Sequence, residues 1–253
     1  MLDGALGPTL APLNLSLVTV DIEEVDEQLA VAQALKYAEE LRELVAAERM
    51  QRRRAEDAFA GLHDSYRTTV RALAAALELR DDQTGAHAVR VAELAMRLTE
   101  RVAPELVDDP QLEFGFLLHD LGKIGISDAI LLKPGPLDWR ETEQMRRHPS
   151  LGERIIGEIP YLNGLSRQIV AGHHERWDGS GYPRGLRGDE IPIAARIFAV
   201  VDAFDAMTND RPYRRALPVE RALDEIEHAA GTQFDPQVVR KFLALAAKLS
   251  SAA

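Results

Sequence analysis

Seven histidines offer the most chemistry in this chain: His63, His87, His119, His148, His173, His174 and His228. His119 is followed at once by Asp120, in LLHDLGKIGI, and His173 and His174 are adjacent in VAGHHERWDGSGYP. Asp202 sits in RIFAVVDAFDAM, among Phe198, Ala199, Val200, Val201, Ala203 and Phe204. A carboxylate in such surroundings loses solvation, so it must be protonated, paired with a cation or bound to a metal. An ordinary ion pair with Arg196 or Arg211 is the plain alternative. Asp205 lies one turn further on, so one of the two aspartates could face solvent. Imidazole and carboxylate together suit borderline divalent metals such as iron, manganese or zinc.

A single histidine–aspartate dipeptide is a weak signal, and His63–Asp64, on a polar stretch, is assigned to structure. His228 is placed near a helix C-terminus, where a histidine suits the helix dipole. The other residues are stronger taken together. His87, His119, Asp120, His148, His173, His174 and Asp202 fall on separate predicted helices or helix ends, which a bundle can bring to one interior point. Seven such ligands exceed what one ion takes while leaving room for water. Two ions sharing a carboxylate would use them all. Paired metals ~3.5–4 Å apart are typical of enzymes that hydrolyse phosphate esters, because they make water acidic enough to attack at neutral pH. Lys123, between Gly122 and Gly125 in HDLGKIG, could neutralise a phosphate oxygen or be an ordinary surface lysine. The glycine-rich segment DGSGYPRGLRGDEIP cannot be regular structure and is expected to rim the site as a loop.

The elements that must hold these residues are helical. From about Asp21 to Arg80 there is no proline, and good helix formers dominate. Val31, Ala34, Ala38, Leu41 and Val45 are spaced 3, 4, 3, 4, and the register continues through Ala55, Phe59, Leu62, Tyr66 and Leu73. Such a stripe suits a coiled coil, a helix hairpin or a helix packed on its own domain. Glu48 and Arg52 interrupt it, so Arg49–Arg54 could be a bend, a solvated stretch or a register device. Further helices are predicted over His87–Val102, from Asp109–Pro110 toward His119, from Asp138 with Glu141 behind it, over Pro192–Thr208, over Pro218–Ala230 and from Asp235–Pro236 to about Leu249. Pro149 marks a further boundary. No alternating strand pattern is visible, so the fold is expected to be an all-α bundle.

Composition sets outer limits. The 253 residues are 46% hydrophobic and 28% charged, ordinary values for a domain with a buried core. The net charge of −11 disfavours a bulk electrostatic hold on duplex nucleic acid. There is no cysteine, which excludes disulfides, thiolate zinc sites and cysteine nucleophiles. No apolar run reaches the ~18 residues of a membrane span, and the first twenty residues lack the pattern of a signal peptide. The expectation is a cytoplasmic protein with no membrane insertion. The domains are expected at 1–20 (a tail), 21–75 (a helical or coiled-coil region) and 76–253 (the catalytic domain).

From Arg80 to about Phe242 the chain resembles the HD-GYP family, a branch of the HD metal-dependent phosphohydrolases. The resemblance rests on RDDQTGAHAVRV, HDLGKIGISDAILLKPGPL, RRHPSLG, HHERWDGSGYPRGLRGDEIP and VDAFDAMTNDRPYRRA, in that order. It implies an HD-domain helical bundle, here preceded by a long N-terminal helix or coiled coil, and hydrolysis of cyclic di-GMP. It implies His87, His119, Asp120, His148, His173, His174 and Asp202 as metal ligands, with Asp120 bridging. Lys123, Arg211 and Arg214 are implied as contacts to the nucleotide phosphates. Two divalent ions are expected, with iron or manganese favoured over magnesium by the imidazole-rich set. Some family members carry a third-metal glutamate four residues before the first histidine. Here that position is Gln83. A proline common after the HD-loop isoleucine is Ser127. With two metals, hydrolysis is expected to pause at the linear dinucleotide pGpG. No leaving-group acid stands out. Substrates other than cyclic di-GMP, and a catalytically silent module responsive to it, are the competing readings. A homodimer through the N-terminal helix is expected as well.

Overall fold

The computed structural model describes residues 27–80, 87–210 and 215–250. The predicted tail at 1–20, Gln83 and the phosphate-contact candidates Arg211 and Arg214 lie outside the described residues. The fold is all-α: among the described residues there are helices and turns, and a single isolated bridge joins Ala230 to Phe234. The chain divides into two units, Met1–Gly61 and Leu62–Ala253.

In the first unit the described residues belong to α1 (Glu27–Arg80). The helix is unbroken through Arg49–Arg54, whose side chains are exposed; Arg52 pairs with Glu56 one turn on, at 2.9 Å. The interruption of the stripe is therefore a solvated stretch of continuous helix. Leu35, Leu41, Leu44 and Phe59 are each more than half exposed.

In the second unit the end of α1 is followed by α2 (His87–Val102), α3 (Pro110–Leu117), α4 (Asp128–Leu131) and α5 (Trp139–Met145). Then come α6 (His148–Gly157), α7 (Leu165–Gly172), α8 (Ile193–Thr208), α9 (Val219–His228) and α10 (Pro236–Ser250). Local chemistry sets the starts. The Asp109 carboxylate accepts from the Gln111 amide at 2.9 Å and Pro110 supplies the fixed φ of a first helical residue. Asp138 and Glu141 form a reciprocal capping box. Asp235 accepts from the Gln237 amide at 2.7 Å, which repeats the aspartate–proline start at α10. Pro149 falls inside the first turn of α6, where a missing N–H costs nothing. Gly231, at φ +83°, follows α9 in the left-handed region that glycine adopts freely.

The core of this unit is the junction of α2, α3, α7, α8 and α10. Leu98, Leu112, Phe116, Ile169, Phe198 and Phe242 are wholly buried there. Phe116 and Phe198 stack at 5.3 Å between ring centroids. Each such side chain contributes roughly 1.5–3 kcal/mol through its removal from water. Together they fix α3 against α8, and thereby Asp120, just past the end of α3, against Asp202 in the middle of α8. No helix among the described residues is long and apolar enough to cross a membrane.

Candidate metal centre

Three histidines share one device. His119 follows α3, His148 follows the end of α5, and His173 follows α7. Each Nδ1 lies against the carbonyl three residues back: His119 on Phe116 at 2.9 Å, His148 on Met145 at 2.8 Å, His173 on Val170 at 2.9 Å. The last carbonyls of a helix have no amide partner within the helix, so they are free to accept. A carbonyl oxygen cannot donate, hence each Nδ1 carries a proton and each ring turns its Nε2 inward. His87 is aimed differently. Its Nδ1 is 2.6 Å from Asp205 Oδ2, and its Nε2 is 3.4 Å from Asp202 Oδ1.

The predicted ligands gather in two groups. Asp120, His148, His173 and His174 place ligand atoms within 4.8 Å of one another, and so do His87, His119 and Asp202. Asp120 lies between the groups. Its Oδ1 is 3.2 Å from His148 Nε2 and 3.8 Å from His173 Nε2, while its Oδ2 is 3.2 Å from His119 Nε2. Lys123 Nζ is 2.8 Å from the same Oδ2. Gly122 allows this arrangement, because a Cβ there would sit 1.8 Å from the His148 carbonyl oxygen. The turn that carries Asp120 and Lys123 can therefore press directly on the start of α6.

The electrostatics favour a cation. His148 and His173 bring their Nε2 atoms to 3.1 Å. Both Nδ1 protons are committed to carbonyls, so these two ring nitrogens crowd together beside an anionic carboxylate. Burial opposes charge on Asp120, yet Lys123 and His119 hold its carboxyl well below the usual range. Burial, then repulsion from neighbouring histidines, pushes His173 well down, and the same causes lower His174 to about 4. These rings stay neutral, as metal ligation requires. In the other group burial opposes charging His87, but its bonds to Asp202 and Asp205 outweigh this and raise it to about 9. Burial likewise opposes charge on Asp202, and the bond to His87 lowers it nonetheless. The donor set of imidazole nitrogens and carboxylate oxygens thus fits divalent ions.

Asp202 does not pair with Arg196, which binds Asp189 and Asp235 instead, at 2.8 Å each. Asp205 is buried rather than solvent-facing, and it also accepts from Arg90. His63 packs against Phe114, and His228 Nδ1 lies 2.7 Å from the Asp224 carbonyl, both away from the two groups. The sequence reading missed the orienting role of Asp205, for which the i, i+3 spacing from Asp202 was the signal. It also missed Glu175. This buried carboxylate, next to His174, accepts from the amides of Arg184 at 2.7 Å and Leu186 at 3.0 Å, and so holds the glycine-rich loop. A cleft of about 300 Å³ opens over the site, lined by His174, Asp202, Tyr182, Arg146, Arg176 and Gln233.

Comparison with known proteins places this geometry. The sequence profile of the HD domain matches residues 71–238. A cyclic di-GMP phosphodiesterase of Thermotoga maritima is 48% identical over 170 residues, covering 66% of this chain and 46% of that protein. A cyclic di-GMP phosphodiesterase response regulator of Xanthomonas campestris is 41% identical over 183 residues, covering 72% of this chain and 48% of that protein. The chain spans about half the length of the relatives it matches. Among solved structures, a cyclic GMP-AMP-specific phosphodiesterase of Vibrio cholerae shares the fold, with a TM-score of 0.55 at 21% identity. The match covers 70% of this chain and 48% of that one.

Proposed function

The chain belongs to the HD domain family, and from that premise we propose that it is a metal-dependent phosphodiesterase that hydrolyses cyclic di-GMP to pGpG. The observation that carries this reading is Asp120, whose two oxygens face two different ligand groups at 3.2 Å. The 48% identity to the Thermotoga maritima enzyme supports the substrate. Asp120, His148, His173 and His174 would hold one ion and His87, His119 and Asp202 the other, with Asp120 shared. Iron or manganese suits this imidazole-rich set better than magnesium. Such a pair, when bound, supplies Lewis acidity and a nucleophilic water at neutral pH.

The chain's own groups do the rest. Lys123, held at Asp120 on the edge of the site, offsets charge on a phosphoryl oxygen. Arg211 and Arg214 are the further cations proposed for the nucleotide phosphates. Phe198, packed against His119 at 4.6 Å, keeps water out from behind the site. Gln83 supplies no charge for a third ion, so two ions per chain and a pause at pGpG are expected. The deciding experiment is incubation of the metal-reconstituted protein with cyclic di-GMP and chromatography of the products. Linear pGpG is expected. No hydrolysis by metal-loaded protein would overturn the reading in favour of a silent cyclic di-GMP-responsive module. Cyclic GMP-AMP is the second substrate to test, because a structural neighbour is specific for it. A higher kcat/KM on that nucleotide would replace cyclic di-GMP.

The exposed stripe residues Leu41, Phe59 and Leu62 support a homodimer through α1, and a cytoplasmic location is proposed with it. Light scattering across micromolar concentrations is expected to report twice the mass of one chain. A single-chain mass throughout would reject the dimer.

A further inference from the structure

We propose that Arg80 and Glu78, on the last turn of α1, are positioning residues for the phosphodiesterase reaction: Arg80 sets the turn that carries Lys123, and Glu78 sets the start of α2, where His87 stands. This rests on the function proposed above and adds to it two residues that supply no metal ligand.

The contacts are specific. Arg80 ends α1, and its guanidinium donates to the Lys123 carbonyl at 2.9 Å and the Ile126 carbonyl at 2.7 Å. It also reaches the Asp128 carboxylate at 2.8 Å. These acceptors lie within and just after the tight turn Leu121–Gly125, which follows Asp120 directly and carries Lys123. A planar guanidinium has five donors in a fixed fork, so one residue can hold several acceptors in a set geometry. Lysine, with a single point charge, cannot reproduce that grip. Glu78 is buried, and its Oε1 accepts from the Ala88 backbone amide. Ala88 is the second residue of α2, so its amide has no partner within the helix. A carboxylate there acts as a cap and also favours the positive end of the helix. His87 is the first residue of that same helix. Glu78 further lines a recess of about 30 Å³ together with His87, His119, Asp120 and Lys123.

The turn of α1 that bears these two residues is itself anchored. Val70 and Ala74 are buried in the core, and Arg67 and Arg71 both pair with Glu113 of α3, at 2.9 and 3.0 Å. Glu113 lies on the helix that leads to His119 and Asp120. The end of α1 therefore touches each of the three elements that present His87, the His119–Asp120 pair and Lys123. Exposure of a carbonyl or an amide alone does not require this; an ordinary surface helix would leave those groups to water.

The test uses the metal-loaded full chain. Arg80→Ala is expected to lower kcat on cyclic di-GMP by about ten- to a hundredfold, the range that small misplacements produce, with metal content unchanged. The decisive step is a double-mutant cycle: in a Lys123→Ala background, Arg80→Ala should cost less than about twofold more. Equal losses in both backgrounds would overturn the role for Arg80. Arg80→Lys should fall between the wild type and Arg80→Ala, and it supplies the cycle if the alanine variant does not fold. For Glu78, the readout is metal release to a chelator. Glu78→Ala should speed the release of one ion about fivefold, the effect of losing a cap, and Glu78→Gln, which keeps an acceptor oxygen, should restore it. A glutamine variant as fast as the alanine variant, or an alanine variant no faster than wild type, would overturn the role for Glu78. If wild-type protein does not cleave cyclic di-GMP, the function fails on its own, and the chelator rates still decide whether Glu78 positions the metal centre.

Discussion

In the group around Asp120, His148 and His173 are aimed by carbonyl oxygens at helix ends, whereas in the group around Asp202, His87 is aimed by the carboxylate of Asp205. The two arrangements orient an imidazole equally well but leave it in different states. A carbonyl orients the ring without adding charge, and burial with three neighbouring imidazoles then keeps His173 neutral. A carboxylate adds a negative charge, and with Asp202 alongside it raises His87 to about 9. In one group, therefore, His173 and His174 are neutral. The other already holds a cation, the proton on His87, which a metal must displace. The comparison separates two properties that a ligand roll alone merges: which atoms point inward, and what charge they carry before an ion arrives.

The largest effect should come from the residue that belongs to both groups. Asp120→Asn is expected to abolish hydrolysis and remove both ions while leaving the helical circular dichroism intact. Loss of an orienting partner alone weakens metal binding by about 10–100-fold, and a shared ligand must exceed that. Full metal content in this variant would mean that Asp120 does not join the groups. Next, His148→Ala and His87→Ala should each remove about one ion per chain by elemental analysis, in line with the division into two groups. If either variant lost both ions, the groups would be one site.

A smaller effect is expected at Asp205. Asp205→Asn keeps the size of the side chain and its bonds with Arg90 and Asn209 in part, but removes the charge behind His87. One ion should bind about 10–100-fold more weakly, with the other unchanged. Equal weakening of both ions would count against a role confined to one group.

The smallest effect is on the metal-free protein and concerns pH. His87 is raised from 6.5 to about 9, so its contribution to stability is complete below 6.5 and lost as pH rises through 9. His174 is lowered from 6.5 to about 4, so its contribution is present above 6.5 and lost as pH falls toward 4. The melting temperature of the apoprotein should thus fall on both sides of about 6.5. Asp205→Asn should flatten the alkaline side and leave the acid side unchanged. A variant whose alkaline side matches that of the wild type would show that Asp205 does not hold the proton on His87.

Much of this was legible before any coordinates. Helix starts were readable because a cap is a local event: Asp109–Pro110, Asp138 with Glu141 and Asp235–Pro236 each act within a few residues. The all-α class followed from 3.6-residue periodicity and the lack of alternation. The stripe on α1 was readable too, although whether it packs on the domain was not, because that depends on what lies opposite. Asp205 was harder. Its spacing from Asp202 showed only that the two share a face of α8, and its partner His87 lies 118 positions away. The positioning roles of Arg80 and Glu78 gave no signal, since a charged residue near a helix end is ordinary and most of their partners are backbone atoms.

The sequence by itself determined which side chains could take part: imidazoles and carboxylates carry their ligand chemistry wherever they stand, and their order along the chain was enough for the family resemblance. Only the tertiary structure decided how they divide. The sorting into two groups depends on Gly122 letting the Asp120 turn press on α6, and on Phe116 against Phe198 fixing α3 to α8. It also depends on helix-end carbonyls turning three Nε2 atoms inward. The first two are contacts between segments distant in sequence, set by packing; the third is local to each helix end, and packing decides only that the three ends meet. The charge on His87 is likewise a property of its neighbours in space, because two carboxylates from α8 reach it across the fold.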